Sequence, residues 1–375
     1  MDQVRVAVVG CGGISRAHIN GHMNCPQSKL VYCCDIDEAK AKEKAEAAKC
    51  KWTTNWLDIL DEVDAVDICT APHLHAEMTI EAAKRGKHVL CEKIMAINLD
   101  QAEAMIEATD KAGVVFMVAF VLRYRKEWQV VNEICRSGRL GQIFQAYCQT
   151  SMFLGRVAEW RKDPKTFPMG CFLSHGCHYV DQLQWHVGRI THATTLSNNF
   201  TLGDQIIGDD TSVAIFRHEN GAVSSYVESW AIPCPTTGLR FDAYGTKGSV
   251  KLEYDRATGG RFVDLWTKEK GHERVFEWDP TKKQLDDVFG GAKDMHGQID
   301  HFIKCIVNKE QPMTHGREGI IPMQIILAAC AGEEEGRIMP LAEFLERRKK
   351  AKKTAKKAKK AAKKSAKAKK GGKKK

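Results

Sequence analysis

Up to residue 120 the hydrophobic positions switch repeatedly between continuous runs and helical stripes. Residues 4–10, VRVAVVG, form an apolar run of the kind that marks a strand buried on both faces. The run leads into a segment where Ile14, Ala17 and Gly21 share one helical face. Further strand runs are expected at 29–35, 63–71, 87–93 and 114–120, with helical patterns at 37–50, 75–86 and 100–113. Residues 37–50 are rich in Ala, Glu and Lys, which predicts an exposed helix, and Gly86 stands where a cap would end the next one. This β-α-β alternation predicts an α/β fold with a doubly wound parallel sheet.

Beyond residue 125 the texture changes. One helix is expected at 126–137, ending at Gly138, and a second at 175–187. From 190 to 278 the residues alternate in short runs, and Asn220-Gly221 between two of them is a strong hairpin signal. These runs predict a mostly antiparallel sheet. Helical patterns at 295–307 and 320–337 close the fold. The expected organisation is a domain at 1–122, an α+β domain at 123–346 and a tail at 347–375.

The 375 residues suffice for about two domains, and 28% charged residues is ordinary for a globular chain. No apolar run approaches the ~18 residues of a membrane span. The N-terminal apolar run begins almost at once, with no basic region before it and no small-residue cleavage site after it. The expectation is a cytoplasmic protein without a secretory signal. Fourteen cysteines are scattered without a CxxC pair, so reduced, buried thiols are expected rather than a disulfide framework.

The net charge of +10 conceals two parts of opposite sign. Residues 347–375 hold 18 of the 57 Lys/Arg residues and no acid, leaving 39 basic against 47 acidic residues in the body, near −8. The body is therefore no nucleic-acid binder by composition. The Lys/Ala tail has no apolar stripe to bury and repels itself, so disorder is expected, with non-specific contact to nucleic acid or another polyanion.

Gly10-x-Gly12-x-x-Ser15 directly follows the first strand and opens a helix. Glycine permits the tight turn and lets backbone approach a pyrophosphate, whose charge meets the helix N-terminus. Asp35 ends the second strand, where an acid would bind an adenosine ribose hydroxyl. These features predict a Rossmann-type dinucleotide site that takes NAD rather than NADP, whose 2′-phosphate would face the carboxylate.

TAPHLHAEMTIEAAKRGKHVLCEK, residues 70–93, resembles the family of glucose–fructose oxidoreductase, inositol 2-dehydrogenase and the rhizopine-catabolism oxidoreductases. The resemblance continues through Arg123, SGRLGQI (137–143), a Gly-x-His-x-x-Asp run at 176–181, ENGAV (219–223), YGTKGSV (244–250) and HGREG (315–319), covering about 1–340. It implies a Rossmann domain, an α+β domain with an open-faced sheet that serves as an oligomer interface, and a homodimer or homotetramer. It implies hydride transfer between NAD(P) and a secondary hydroxyl of a sugar, cyclitol or sugar derivative. By position, it implies cofactor contacts from Gly10, Gly12, Gly13, Ile14, Asp35, Thr70, His75, Glu92 and Lys93. Lys93 and His178 would be catalytic, and Lys93, Arg123, Trp160, Ser174, His178 and Asp181 would meet substrate. A lysine beside the reacting carbon can hydrogen-bond the alcohol oxygen and stabilise developing alkoxide charge. The family's proline after this lysine is Ile94 here, so a cis peptide is not expected there.

GCFLSHGCHYVD, residues 170–181, departs from the family's Asp-x-x-x-His-x-x-Asp at its first acid, which is Ser174. Helical spacing places Ser174, His178 and Asp181 on one face. Three readings compete: a metal site from His175, His178 and Asp181, histidines satisfied inside a helix, and a proton relay. The relay is preferred, with His178 exchanging the hydroxyl proton and Asp181 orienting the imidazole; no metal is expected. The leading function is a sugar or cyclitol dehydrogenase. The alternatives are a glycoside-cleaving enzyme using transient ring oxidation and elimination, and a non-catalytic nucleotide-binding protein tethered by its tail.

Overall fold

The first apolar run folds as β1 (Val4–Val9), buried except at Arg5. The computed structural model describes residues 3–234, 238–255, 257–279 and 295–371. After β1 come α1 (Ser15–Met23), β2 (Ser28–Cys34), α2 (Glu38–Ala48), β3 (Lys51–Thr53), β4 (Ala65–Ile68), α3 (Pro72–Lys84), β5 (His88–Cys91), α4 (Leu99–Ala112) and β6 (Phe116–Val118). The six strands form a parallel sheet in the order β3-β2-β1-β4-β5-β6. The order reverses between β1 and β4, so the crevice for a ligand opens at their C-terminal ends. Local chemistry sets the helix ends. Asp37 accepts the N–H groups of Ala39 and Lys40 at the start of α2, and Gly113 takes φ +65° to end α4.

The second domain begins with α5 (Lys126–Arg136), β7 (Ile143–Ser151), α6 (Cys171–Ser174), α7 (Cys177–Val187) and β8 (Ile190–Asn198). There follow β9 (Thr211–His218), β10 (Val223–Ser229), β11 (Leu239–Gly245), β12 (Gly248–Tyr254), β13 (Arg261–Thr267) and β14 (Gly271–Trp278). The chain ends with α8 (His296–Asn308), α9 (Gly316–Gly319), α10 (Ile321–Glu334), β15 (Met339–Pro340) and α11 (Leu341–Gly371). Nine strands form one sheet in the order β14-β13-β12-β11-β7-β10-β9-β8-β15. Among the described residues only the β7–β10 pair of this sheet is parallel. Gly221 (φ +86°) turns the expected β9–β10 hairpin.

Three features differ from the sequence expectation. The helix expected at 175–187 is broken at His175-Gly176. A Cβ on Gly176 would lie 2.3 Å from the Phe172 carbonyl and 2.9 Å from Glu228 on β10, so the lack of a side chain there leaves room for a distant carboxylate beside the backbone. Next, α8 packs back on α1, where a Cβ on Gly21 would lie 2.7 Å from Ile299, and Thr314 O accepts from Val118 N at 2.9 Å. The last part of the second domain thus clasps the first. Finally, the tail expected to be disordered is helical to Gly371, because Ala and Lys favour helix. Its first turns are held by ion pairs: Arg348–Asp100 (2.6 Å), Lys352–Asp100 (2.8 Å), Lys352–Glu103 and Arg347–Glu335 (2.5 Å).

Candidate functional site

The crevice starts at Gly10. Its φ is +97°, and a Cβ there would lie 2.8 Å from the backbone of Cys69 and Thr70, so only glycine lets the ends of β1 and β4 meet. Beyond it, a Cβ on Gly12 or Gly13 would meet nothing within 4 Å, leaving space for a ligand to approach the backbone. No side chain caps α1 after Ile14, so its N-terminus faces that space. Asp35 anchors the loop, accepting from Cys11 N at 2.7 Å and Asp37 N at 2.9 Å, and stays partly exposed. An open glycine backbone, an uncapped helix and an acid at the end of β2 fit NAD.

His75 does not reach the crevice. It is fully buried, with ring nitrogens 2.9 Å from the Ile94 carbonyl and 3.0 Å from the Thr70 carbonyl. Burial keeps the ring neutral, so it donates to one carbonyl at a time and ties the turn after β4 to the turn after β5. The Lys93–Ile94 peptide at that second turn is cis, contrary to expectation. The buried Ile94 side chain and the contact with His75 define the turn that proline shapes elsewhere in the family.

Beneath the crevice lies a sealed network absent from the sequence reading. Ser28 Oγ is 2.9 Å from His22 Nδ1, and His22 Nε2 is 3.0 Å from Asp67. Asp67 is 2.8 Å from His18 Nδ1, and His18 Nε2 is 3.0 Å from Glu92. Glu92 accepts the Lys93 N–H at 3.0 Å. Burial works against a charged His18, but Asp67 outweighs it and holds the ring protonated well above the usual histidine range. Burial likewise works to raise Asp67, yet His18 and His22 hold it below the usual carboxylate range. One imidazolium thus joins two carboxylates and fixes Glu92 behind Lys93. His18, Asp67 and Cys69 place ligand atoms within 4.8 Å of one another. Their 2.8 Å hydrogen bond and a Cys69 thiol pushed up to about 12 by burial and Asp67 suit shared protons rather than a cation. The sequence signal was an acid inside an apolar strand, Asp67, with His18 and His22 one helical turn apart.

Lys93 crosses the crevice. Its Nζ donates to the Ser174 carbonyl at 3.1 Å, joining the end of β5 to the end of α6. His178 lies beyond the break, its ring edge-on to Phe120 at 5.9 Å, and its Nδ1 is buried without a hydrogen-bond partner. Burial, then Lys93, hold His178 neutral, well below the usual histidine range. Ser174 is also buried and presents its carbonyl to Lys93. His175 Nδ1 is 2.6 Å from Glu228, which also accepts from Tyr226 OH at 2.7 Å.

Asp181 does not orient His178. Arg123 takes its carboxylate through two bonds, Nε at 2.9 Å and a terminal nitrogen at 2.6 Å, and Gln182 adds a third at 3.2 Å. Both partners are buried, and Arg123 also reaches Glu318 at 3.4 Å and packs over Trp185. They form a buried ion pair with each other, and Asp181 does not converge with His175 and His178 toward a metal. Trp160 is partly exposed, with the Arg161 guanidinium 5.0 Å from its ring and 5.2 Å from that of Trp230.

Comparison with known proteins matches these two halves in turn. Residues 4–120 match the model described as oxidoreductase family, NAD-binding Rossmann fold, and residues 128–251 match the GFO/IDH/MocA C-terminal domain. The chain belongs to the GFO/IDH/MocA family and is an NAD-binding oxidoreductase. It is 25% identical over 356 residues to myo-inositol 2-dehydrogenase of Thermotoga maritima, covering 91% of this chain and 100% of that protein. It is 27% identical over 292 residues to levoglucosan dehydrogenase of Pseudarthrobacter phenanthrenivorans, covering 68% of this chain and 75% of the relative. A levoglucosan dehydrogenase structure in complex with NADH superposes with TM-score 0.80 at 20% identity, covering 90% of this chain and 99% of that one. No helix among the described residues is long and apolar enough to cross a membrane.

Proposed function

We propose that the chain is an NAD-dependent dehydrogenase of a secondary alcohol on a sugar, cyclitol or sugar derivative, with Lys93 and His178 flanking the reacting oxygen. The observation that carries this reading is Lys93 Nζ crossing from the end of β5 to the Ser174 carbonyl, four residues before His178. Bound NAD supplies a hydride acceptor. Lys93 holds the alcohol oxygen and stabilises negative charge on it, while neutral His178 takes the proton as the C–O bond gains double-bond character. The network ending in Glu92 holds Lys93 in place. Gly12, Gly13, Ile14, Asp35 and Thr70 bind the cofactor, and Trp160 and Ser174 border the substrate.

The test is NADH formation by the full chain with NAD and myo-inositol, scyllo-inositol, levoglucosan or D-apiose. Stoichiometric NADH with one of them supports the reading, and Lys93→Ala should then lower turnover by about 10²- to 10⁴-fold. Release of free sugar from a glycoside without net NADH would move the assignment to oxidation followed by elimination.

We also place the protein in the cytoplasm as a homo-oligomer. All fourteen cysteines are free thiols, which suits a reducing compartment. Val213 and Ile215 on β9 and Val223 on β10 leave an apolar sheet face exposed, which suits a partner subunit. The tail would contact polyanions without sequence preference, so deleting residues 347–375 should abolish salt-sensitive DNA binding.

A further inference from the structure

His178 poses a problem for the proposed reaction. It is only 8% exposed, and burial and Lys93 oppose a positive charge on it. A proton taken from substrate must therefore leave. His175 differs in each respect. Its side chain is 24% exposed, and Nδ1 is bound to a fully buried carboxylate, Glu228. A carboxylate there fixes the Nδ1–H tautomer and leaves Nε2 as an acceptor that can take a proton. Among the described residues no protein group hydrogen-bonds Nε2. The two rings stand edge to face with centroids 6.3 Å apart, too far for a direct bond and within the reach of a single bridging water. The groups around His175 are Glu228 and Tyr226 from β10, His178 and Tyr179 from α7, and Lys93 at the neighbouring Ser174 carbonyl. Among the described residues Glu228 is the only carboxylate hydrogen-bonded to the ring.

We infer that His175, held by Glu228, is the outer station of a proton relay that carries the substrate proton from His178 to solvent. The inference rests on the dehydrogenase reading and extends it. The hydroxyl O–H breaks as N–H forms on His178. That proton passes through one water to His175 Nε2 and then to bulk water, while the hydride from the same carbon goes to NAD. Reduction runs the sequence backwards. His175 acts through His178 and does not touch the reacting carbon.

Two measurements on the full chain test this. The first needs no substrate. Nitrogen-15 NMR of labelled histidines with NAD bound should show a downfield Nδ1–H resonance that disappears in His175→Gln, which assigns it, and in Glu228→Gln. An Nε2–H tautomer for His175 overturns the proposal. The second uses whichever panel alcohol yields NADH. His175→Gln should lower kcat about tenfold or more, leave NAD affinity within about twofold, and regain turnover as imidazole buffer is added. Full activity in the variant overturns the relay, and so does a loss that imidazole does not restore. If no alcohol yields NADH, the dehydrogenase reading falls, and the relay falls with it, whichever tautomer is observed.

Discussion

The molecule holds two pairs of close-set histidines that its environment uses in opposite ways. His18 and His22 are sealed beneath the parallel sheet, and every ring nitrogen has a partner. His175 and His178 lie at the crevice; among the described residues Nε2 of His175 and both ring nitrogens of His178 have no protein hydrogen-bond partner. Asp67 outweighs burial to favour the charged ring of His18, whereas burial and Lys93 favour the neutral ring of His178. The residue type does not decide the role. The facing charge and the open nitrogen do. A fully satisfied network fixes position, whereas an unsatisfied edge in a cleft is free to exchange a proton.

The comparison is most exposed to Asp67→Ala. That change leaves the His18 imidazolium without its main counter-charge in a dry interior, and unfolding in urea should show a loss of about 3–5 kcal/mol. A loss below about 1 kcal/mol would mean that the sealed pair does not stabilise the fold. His178→Gln should behave in the opposite manner, with stability near that of the parent and hydride transfer lowered by about 10²- to 10⁴-fold. A stability loss matching that of Asp67→Ala would erase the distinction between the pairs.

His22→Phe removes the outer links to Ser28 and Asp67 while sparing His18–Asp67. Its expected cost is about 1.5–3 kcal/mol, since one lost bond is to a charged group. An effect equal to that of Asp67→Ala would show that the network fails as a unit. The smallest effects appear in the pH dependence of thermal unfolding. His18 has a raised folded value, so its stabilisation is full below the unfolded value of about 6.5 and fades as pH rises through the folded one. His178 has a depressed value, so its contribution is present above about 6.5 and lost as pH falls through the folded one. The deficit of His18→Gln should therefore be largest in acid, and that of His178→Gln largest at neutral pH and above. Parallel curves for the two variants would refute the opposite-sign assignment.

Much of the scaffold was legible because it is local. The VRVAVVG run, the glycine turn after it and Asn220-Gly221 each carry their own backbone instructions. The short edge strand β3 was not seen, because Lys51–Thr53 has too few residues to show a period. Lys93 and His178 were marked by resemblance, and the structure brings Lys93 to the segment holding His178. The tertiary partners were hidden. Nothing near Asp181 indicates that Arg123 occupies it, and nothing near His175 points to Glu228, 53 residues away. The space at Gly176 is taken by that same distant carboxylate, which helical periodicity cannot show, so the pattern runs straight through the break between α6 and α7. The tail misled because its charge pattern implies repulsion, whereas Asp100, Glu103 and Glu335 offset the charge of its first turns.

The terminal helix also shapes the molecule as a colloid. Its 31 residues extend about 46 Å at ~1.5 Å per residue, with almost all its charge positive, from a body of the opposite sign. The whole is a large electric dipole. It should be retained by both anion and cation exchangers, attract its own kind head to tail at low ionic strength, and lose that attraction once the Debye length shrinks to about 8 Å at physiological salt.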